Sequence, residues 1–457
     1  MTSSSSSAAT PAPEAPGPRG WPLLGVLPQV ARNPLDALTV IAREYGDIVR
    51  VPLGPRAVYL VTHPDLIKHV LVDNAAGYSK GRTWEKTRSY LGDGLATAEG
   101  ELWRRQRRLM QPQFHRDAVG ALADVIADNI AATVEGLGRA ADEDRVVDLA
   151  AELMNMTLGV LKATVFGGTA TDTRGFTEAF QVALEHTTAR VLSPVEIPDA
   201  WPTPGNRRFQ KAKAHLDRVV FSVIRERRAE PDRPDLLSLL LHSKDPETGE
   251  VMSDTQLRDE VITLFLGGSE TTANALAWAF HLLGQHNDIE QKVAAEALEV
   301  IGERRPSADD HKGLKWCTAV FEEAMRLYPQ NWVMSRDTIG EDVVGGCRVP
   351  AKTTVFLGVH ALHRDARFWS EPERFMPERF FAESAVGRHP FAYLPFGGGQ
   401  RKCIGNMFAL LEGSFAVAQI ARAFVVEPIA DHLVVSDPKF NLRPKTGIRV
   451  RLRRRRR

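Results

Sequence analysis

The chain has 457 residues, of which 43% are hydrophobic and 25% charged, and its formal net charge is +1. That composition belongs to an ordinary globular protein; it excludes a collagen-like or charge-dominated disordered chain and gives no general attraction to nucleic acid or an anionic membrane. Three cysteines, Cys317, Cys347 and Cys403, are an odd number lying far apart, which excludes a disulfide framework, and no Cys/His cluster has zinc-ligand spacing.

Residues 1–20, MTSSSSSAATPAPEAPGPRG, are too rich in Ser, Ala and Pro to bury a core and read as a disordered tail. They lack the apolar segment of a signal peptide or membrane anchor, so a cytoplasmic protein is expected. At residues 47–63, DIVRVPLGPRAVYLVTH gives two β-rich runs around a Gly-Pro turn, a hairpin. GELWRRQRRLMQPQFH, residues 100–115, sets Trp103 and Arg107 on one helical face, where indole N–H and guanidinium can donate jointly to an anion. The stretch GLGRAA at residues 136–141 superficially fits a dinucleotide fingerprint, but it follows a helical stretch rather than a strand and fails on context. Most of the remaining chain has helical periodicity, cut by Pro/Gly loops such as EPDRPD and DPETGE.

The most informative helix is expected from about Asp254 to Leu283, opened by a capping box of Ser253 and Gln256. At ~1.5 Å per residue it would span roughly 45 Å. It is apolar nearly all round yet contains Glu270, Asn274 and His281, which fits a buried core helix better than a membrane span. The apolar pattern passes through Gly267 and Gly268, so the helix is expected to continue across them. Gly267 and Thr271 share a face, leaving room against the backbone beside a hydroxyl, with the Glu270 carboxyl nearby. Further on, Glu323 and Arg326 in FEEAMRLYP stand at i,i+3 before Pro329 stops the helix, and Arg379 in EPERFMPERF is placed to complete a three-member charge network. Short β regions are expected within residues 341–358 and 432–452, and Arg453–Arg457 read as a solvated basic tail. The overall expectation is a mostly α protein with small β-sheets and no strong domain break.

Cys317 and Cys347 read as buried small hydrophobes. Cys403 differs: in PFGGGQRKCIGNMFALLEG it follows three glycines, Arg401 and Lys402, and precedes a long helix, so the positive helix end and neighbouring cations favour thiolate. A thiolate there is either a nucleophile, which would need a histidine base, or a ligand for a soft metal.

Phe396-x-x-Gly399-x-Arg401-x-Cys403-x-Gly405 resembles the haem-binding signature of the cytochrome P450 family, and four further motifs follow that family's order. They are W-x-x-x-R at Trp103/Arg107, [AG]-G-x-[DE]-T-T at Gly267–Thr272, E-x-x-R at Glu323/Arg326, and P-E-R-F at Pro377–Phe380. The resemblance runs from about Trp21 to Leu452 and implies a single-domain, mostly α triangular-prism fold holding haem b, iron protoporphyrin IX. It implies Cys403 as the proximal thiolate on iron, with backbone N–H groups of the glycine loop tuning the iron potential. Trp103, Arg107, Arg336 and Arg401 match positions that clasp the propionates. Gly267 and Gly268 match positions that leave room for dioxygen, and Thr271 with Glu270 matches the acid–alcohol pair that delivers protons. Glu323, Arg326 and Arg379 match a structural network. Gly267 replaces the commoner alanine, Ser269 the common histidine and Gln106 a frequent histidine. Trp84, Leu264, Val333 and Met334 fall in segments that form pocket walls in the family and favour a lipophilic substrate.

The resemblance implies a monooxygenase that takes electrons from separate proteins, a ferredoxin and its reductase or a flavodoxin, and that acts as a cytoplasmic monomer without nucleic acid. It is strongest to terpene-oxidising bacterial members; fatty acids and polyketides are the alternative substrates. The alternative classes are a non-oxygenating haem-thiolate sensor, a peroxide-driven enzyme and an isomerase, none of which needs a proton relay for dioxygen. Arg104, Arg105, Arg108 and Lys402 are expected to form a basic patch that steers an acidic partner.

Overall fold

The run at residues 47–63 forms the expected hairpin. Strands Ile48–Leu53 and Arg56–Val61 pair antiparallel, with Ile48 opposite Val61 and Leu53 opposite Arg56, around Gly54 at φ +66°. Alternation does the sorting: Val49 and Val51 are fully buried while Arg50 between them is exposed, because successive side chains point to opposite faces. The computed structural model describes residues 12–167, 175–192, 197–230, 233 and 235–455. They pack as two compact units, each with its own core.

The smaller unit comprises Met1–Gly81, Trp332–Pro372 and Arg388–Lys402. Its five-stranded sheet runs Ile48–Leu53, Arg56–Val61, Thr354–Leu357, Met334–Thr338, Tyr78–Ser79, with Arg56–Val61 and Thr354–Leu357 parallel and the other pairs antiparallel. Apolar clusters around Tyr59, Ile67, Val355 and Leu394, and around Leu38, Val49 and Leu60, form its core. Residues 12–20 depart from the disordered tail expected for 1–20. The Arg50 amide donates to Pro16 O and the Arg348 amide to Pro13 O, each at 2.8 Å, and Ala15 is buried. Extended proline-rich chain offers carbonyls without demanding acceptors for its own N–H groups, and strand edges use them. Residues 1–11 lie outside the described residues. Cys347, expected to be buried, is half-buried in the hairpin Asp342–Val344/Cys347–Val349.

The larger unit, Arg82–Asn331, Glu373–Gly387 and Cys403–Arg457, is mostly helical. Phe166, Phe176, Phe180 and Phe265 meet at ring separations of 4.8–6.4 Å within its core, and Cys317 is buried as expected. GLGRAA lies inside the helix Ala123–Asp142, with no strand before it. The helix Leu149–Phe166 has the length and apolar composition of a membrane span, yet Leu153, Val160 and Phe166 are buried within the unit.

Two expectations fail here. The stretch 254–283 is two helices, Asp254–Gly268 and Glu270–Leu283, broken at Ser269. The basic tail also begins later than Arg453, because Arg449–Arg454 is a strand pairing with Phe424–Pro428 and Val147–Asp148. Arg453 pairs with Glu427, Arg454 with Asp142 and Arg455 with Glu290, so sheet register and carboxylates hold what a solvated tail would leave loose. Arg456 and Arg457 lie outside the described residues, as does part of EPDRPD.

Candidate active site

The break at Ser269 shapes the first part of the site. Ser269 has φ −81° and ψ −71°, at the edge of the helical region, and three hydroxyls act on the main chain around it, its own donating to Phe265 O at 2.6 Å. Thr271 donates to Gly267 O, and the Thr157 hydroxyl, from the helix Leu149–Phe166, is shared between Met154 O at 3.1 Å and Ser269 O at 3.2 Å. Hydroxyls that take helix carbonyls compete with the i→i−4 ladder and bend it. A Cβ placed on Gly267 would meet nothing within 4 Å, whereas one on Gly268 would meet the Leu161 side chain at 3.0 Å. Gly267 therefore faces open space and Gly268 is a close-packing position, a division of labour the two adjacent letters do not reveal.

Glu270 opens the second helix and is buried. Its carboxyl accepts from Asn441 Nδ2 at 2.9 Å and has no bond to Thr271. Neighbouring helix residues project about 100° apart, which keeps the two side chains separate. Burial raises the Glu270 proton affinity above the ordinary carboxylate range, opposed by the Asn441 hydrogen bond and by Arg443.

Trp103 and Arg107 lie on the helix Gly100–Met110, Trp103 buried and Arg107 half-buried. Burial draws the Arg107 guanidinium below the ordinary arginine range, and the Cys403 charge opposes that, so the WxxxR helix and the cysteine belong to one electrostatic neighbourhood. Cys403 is exposed and sits just before the helix Asn406–Ala423, whose N-cap is Gly405. Trp84 meets Phe440 edge-on at 5.7 Å, and both Trp84 and Leu264 pack against the larger unit's apolar core.

The charge network forms as expected. Arg326 Nε and Nη2 donate to Glu323 at 2.6 and 2.8 Å, Arg379 Nε donates at 3.2 Å and the Met376 amide at 2.9 Å. The basic patch does not stand alone: Arg104 pairs with Glu101, Arg105 with Glu250 and Asp245, and Arg108 with Asp245, Glu247 and Glu101. Those carboxylates offset the positive field expected there.

In the smaller unit, the glycine loop has its own reason for glycine. Gly397 and Gly399 both adopt φ +67°, and a Cβ on Gly399 would lie 2.1 Å from Leu71 O. Phe396 is half-buried, and Arg401 ends the short turn Gly399–Arg401. Arg336 lies in the strand Met334–Thr338 and donates to Ser335 O at 2.8 Å; Met334 is buried and Val333 half-buried.

Sequence reading missed Asn441 and Glu260. The Leu95 amide donates to Glu260 Oε2 at 2.9 Å and the Asp93 amide to Asp259 at 2.8 Å, so consecutive acids of the first helix hold the segment before Trp103. The adjacent acids Asp259–Glu260 directly before the apolar run from Val261 were the available signal.

The donor set suits a thiolate-ligated haem. It offers an accessible sulfur at a helix N-terminus, an indole and a guanidinium nearby, and a glycine face open beside a hydroxyl. The family model for cytochrome P450 matches residues 15–450. Cyclooctat-9-en-7-ol 5-monooxygenase of Streptomyces melanosporofaciens is 38% identical over 416 residues, covering 90% of this chain and 89% of that one. Cyclooctatin synthase of the same organism is 36% identical, covering 93% and 92%. Pentalenene oxygenase of Streptomyces avermitilis is 33% identical, covering 91% and 92%. Among solved structures, the heme domain of cytochrome P450DA superposes with a TM-score of 0.89 at 26% identity, covering 98% of each chain.

Proposed function

The chain belongs to the cytochrome P450 family, a family of haem monooxygenases, and on that premise we propose that it oxygenates a terpenoid, with Cys403 as the iron ligand. Two similar bacterial proteins named as oxygenases of cyclooctat-9-en-7-ol and pentalenene, and a third named cyclooctatin synthase, each aligned over nine-tenths of this chain, carry the substrate reading. Haem supplies the chemistry of dioxygen activation; the chain supplies binding, orientation and protons. Cys403 is the thiolate ligand, and Trp103, Arg107, Arg336 and Arg401 are the propionate donors, with Phe396, Gly399 and Gly405 shaping the cysteine loop. Thr271, its hydroxyl oriented by Gly267 O, delivers protons on the face where Gly267 leaves room, and Glu270 is the acid behind it. Trp84 and Leu264 in the larger unit, and Val333 and Met334 in the smaller one, are the apolar side chains that suit a lipophilic substrate; Gly268, packed against Leu161, is not one of them. Glu323, Arg326 and Arg379 are structural.

Electrons come from separate redox proteins, here a ferredoxin with its reductase, and the protein works as a cytoplasmic monomer. Because Arg104, Arg105 and Arg108 are paired with carboxylates, partner docking rests on shape as much as on net charge.

The test is a ligand screen on the ferric holoprotein with cyclic terpenes, terpene alcohols, fatty acids and macrolides, reading the low-to-high-spin Soret shift, followed by turnover with a ferredoxin and reductase. Terpenoids should give the saturating shift and an oxygenated product. A response confined to fatty acids or macrolides overturns the substrate reading.

A further inference from the structure

The relay reading leaves one requirement unmet: Glu270 and Thr271 share no hydrogen bond, and the Glu270 carboxyl is held instead by Asn441, 171 positions away. Both side chains are buried, Glu270 to 8% exposure and Asn441 to 5%. Asn441 sits between the strands Ser436–Pro438 and Leu442–Pro444, in a segment fixed on several sides. Its neighbour Leu442 donates its amide to Gln330 O and accepts from Trp278 Nε1, each at 3.1 Å. Phe440 on the other side meets Trp84 edge-on, and Arg443 bridges back to Asp437 at 3.1 Å. An amide carried on so constrained a strand end is a rigid donor, and one N–H aimed at a buried carboxylate is a charge-assisted hydrogen bond.

We infer that Asn441 is a positioning residue for oxygen activation: it anchors the Glu270 carboxyl to the C-terminal hairpin and sets how readily that acid gives up and regains its proton. The inference rests on the relay reading of Glu270 and Thr271. The groups acting on the carboxyl support it. Arg443, Asn274 and the Asn441 amide favour the charged form, while burial and Asp437 disfavour it. Arg443 is itself bridged to Asp437, so its charge is partly spent, and Asn441, at 2.9 Å, is the donor with full hydrogen-bond geometry on the carboxylate, with Asn274 a second amide beside it. Losing that donor removes more stabilisation from the charged form than from the neutral one, so the acid becomes harder to ionise.

The experiment uses ferric, substrate-free holoprotein and needs no turnover for its first readout. The protonated carboxyl stretch of Glu270, assigned by its disappearance in Glu270→Gln, is followed against pH by difference infrared spectroscopy. Asn441→Leu, similar in size and without a donor, should move the Glu270 titration upward by about one unit or more, and Asn441→Gln should return part of the shift. With redox partners added, Asn441→Leu should also lower product formed per electron pair several-fold, while its reduced carbon-monoxide spectrum stays native. An unmoved titration in Asn441→Leu overturns the inference, and so does native coupling in Asn441→Leu when Glu270→Gln is uncoupled. If Glu270→Gln itself keeps native coupling while the titration shifts, the relay reading has failed and the anchor stands as electrostatics only.

Discussion

Replacing Glu323 with Gln should be among the most costly single changes in this protein. The carboxylate accepts three guanidinium N–H bonds and the Met376 amide, Glu323 and Arg326 are fully buried, and Arg379 is 8% exposed. Glu323→Gln keeps the size and removes the carboxylate charge that two interior guanidinium ions share. Removing one partner of a buried ion pair costs about 3–5 kcal/mol. Set against a typical net stability of about 5–15 kcal/mol, that is a large fraction of the whole. An exposed pair such as Arg104–Glu101, with both side chains at least 60% exposed, belongs instead to the class worth about 0–1 kcal/mol. The assay is urea unfolding of the holoprotein, followed by far-UV circular dichroism and Soret absorbance. The expected result for Glu323→Gln is a markedly lower midpoint with early loss of the Soret band, and for Glu101→Gln a midpoint within error of the parent. Replacing all three charges together (Glu323→Met, Arg326→Met, Arg379→Met) should recover much of the loss, because no buried charge is then left unpaired. A Glu323→Gln cost below about 1 kcal/mol would refute the reasoning, since a buried charge network cannot be that cheap to break.

Cys403→Ser should abolish the red-shifted Soret band of the reduced carbon-monoxide complex; retention of that band removes Cys403 as the ligand. Thr271→Ala should fold and bind ligand but divert electrons to hydrogen peroxide, read as a several-fold fall in product per electron pair; unchanged coupling places the proton donor elsewhere. Burial pushes Glu260 from its ordinary 4.5 up to about 8, so between those values the folded state holds a proton that the unfolded state has lost. Its contribution to stability is present at low pH and is lost as pH rises through that window. Glu260→Gln, which keeps an acceptor for the Leu95 amide, should flatten the stability profile there, and an identical slope in both proteins rules the assignment out.

What the sequence disclosed was local. The hairpin at residues 47–63 follows from a Gly-Pro turn between alternating runs, and Trp103/Arg107 and Glu323/Arg326 follow from helical spacing, which fixes faces without any knowledge of the fold. The cysteine loop was legible because glycine, cation and cysteine were packed into ten positions ahead of an apolar helix. Partners distant in sequence were not legible. Asn441 meets Glu270 across 171 positions and Leu95 meets Glu260 across 165, and nothing in the spacing of either residue announces the other. The basic patch misled for the same reason: WRRQRR shows its arginines, while Asp245, Glu247 and Glu250 lie far downstream and return to pair with them. Residues 12–20 read as tail because Ala, Pro and Gly dominate them and large apolar side chains are missing, yet their carbonyls are what strand edges use.

The break at Ser269 shows most clearly what a hydrophobic pattern does and does not record. Periodicity reports side chains, and the apolar pattern of residues 261–266 resumes at Ala273 because both helices are largely buried. The bend is written in the main chain instead. Gly267 O is taken by the Thr271 hydroxyl one turn ahead, and Ser269 O by the Thr157 hydroxyl of a packed neighbour. Ser269 O still accepts the Ala273 amide at 3.1 Å, so the hydroxyls share carbonyls with the ladder and bend it rather than replace its amides, and glycine at 267 and 268 lowers the cost of the bend. The same bond that loosens the helix fixes the rotamer of Thr271, the residue proposed to move protons. Thr157, which carried no motif, thereby becomes part of the site: it holds the far side of the break from another helix, through a bond that a valine of equal size would delete. A bend held by three hydroxyls, those of Thr157, Ser269 and Thr271, keeps one of them beside Gly267, whose own face is open.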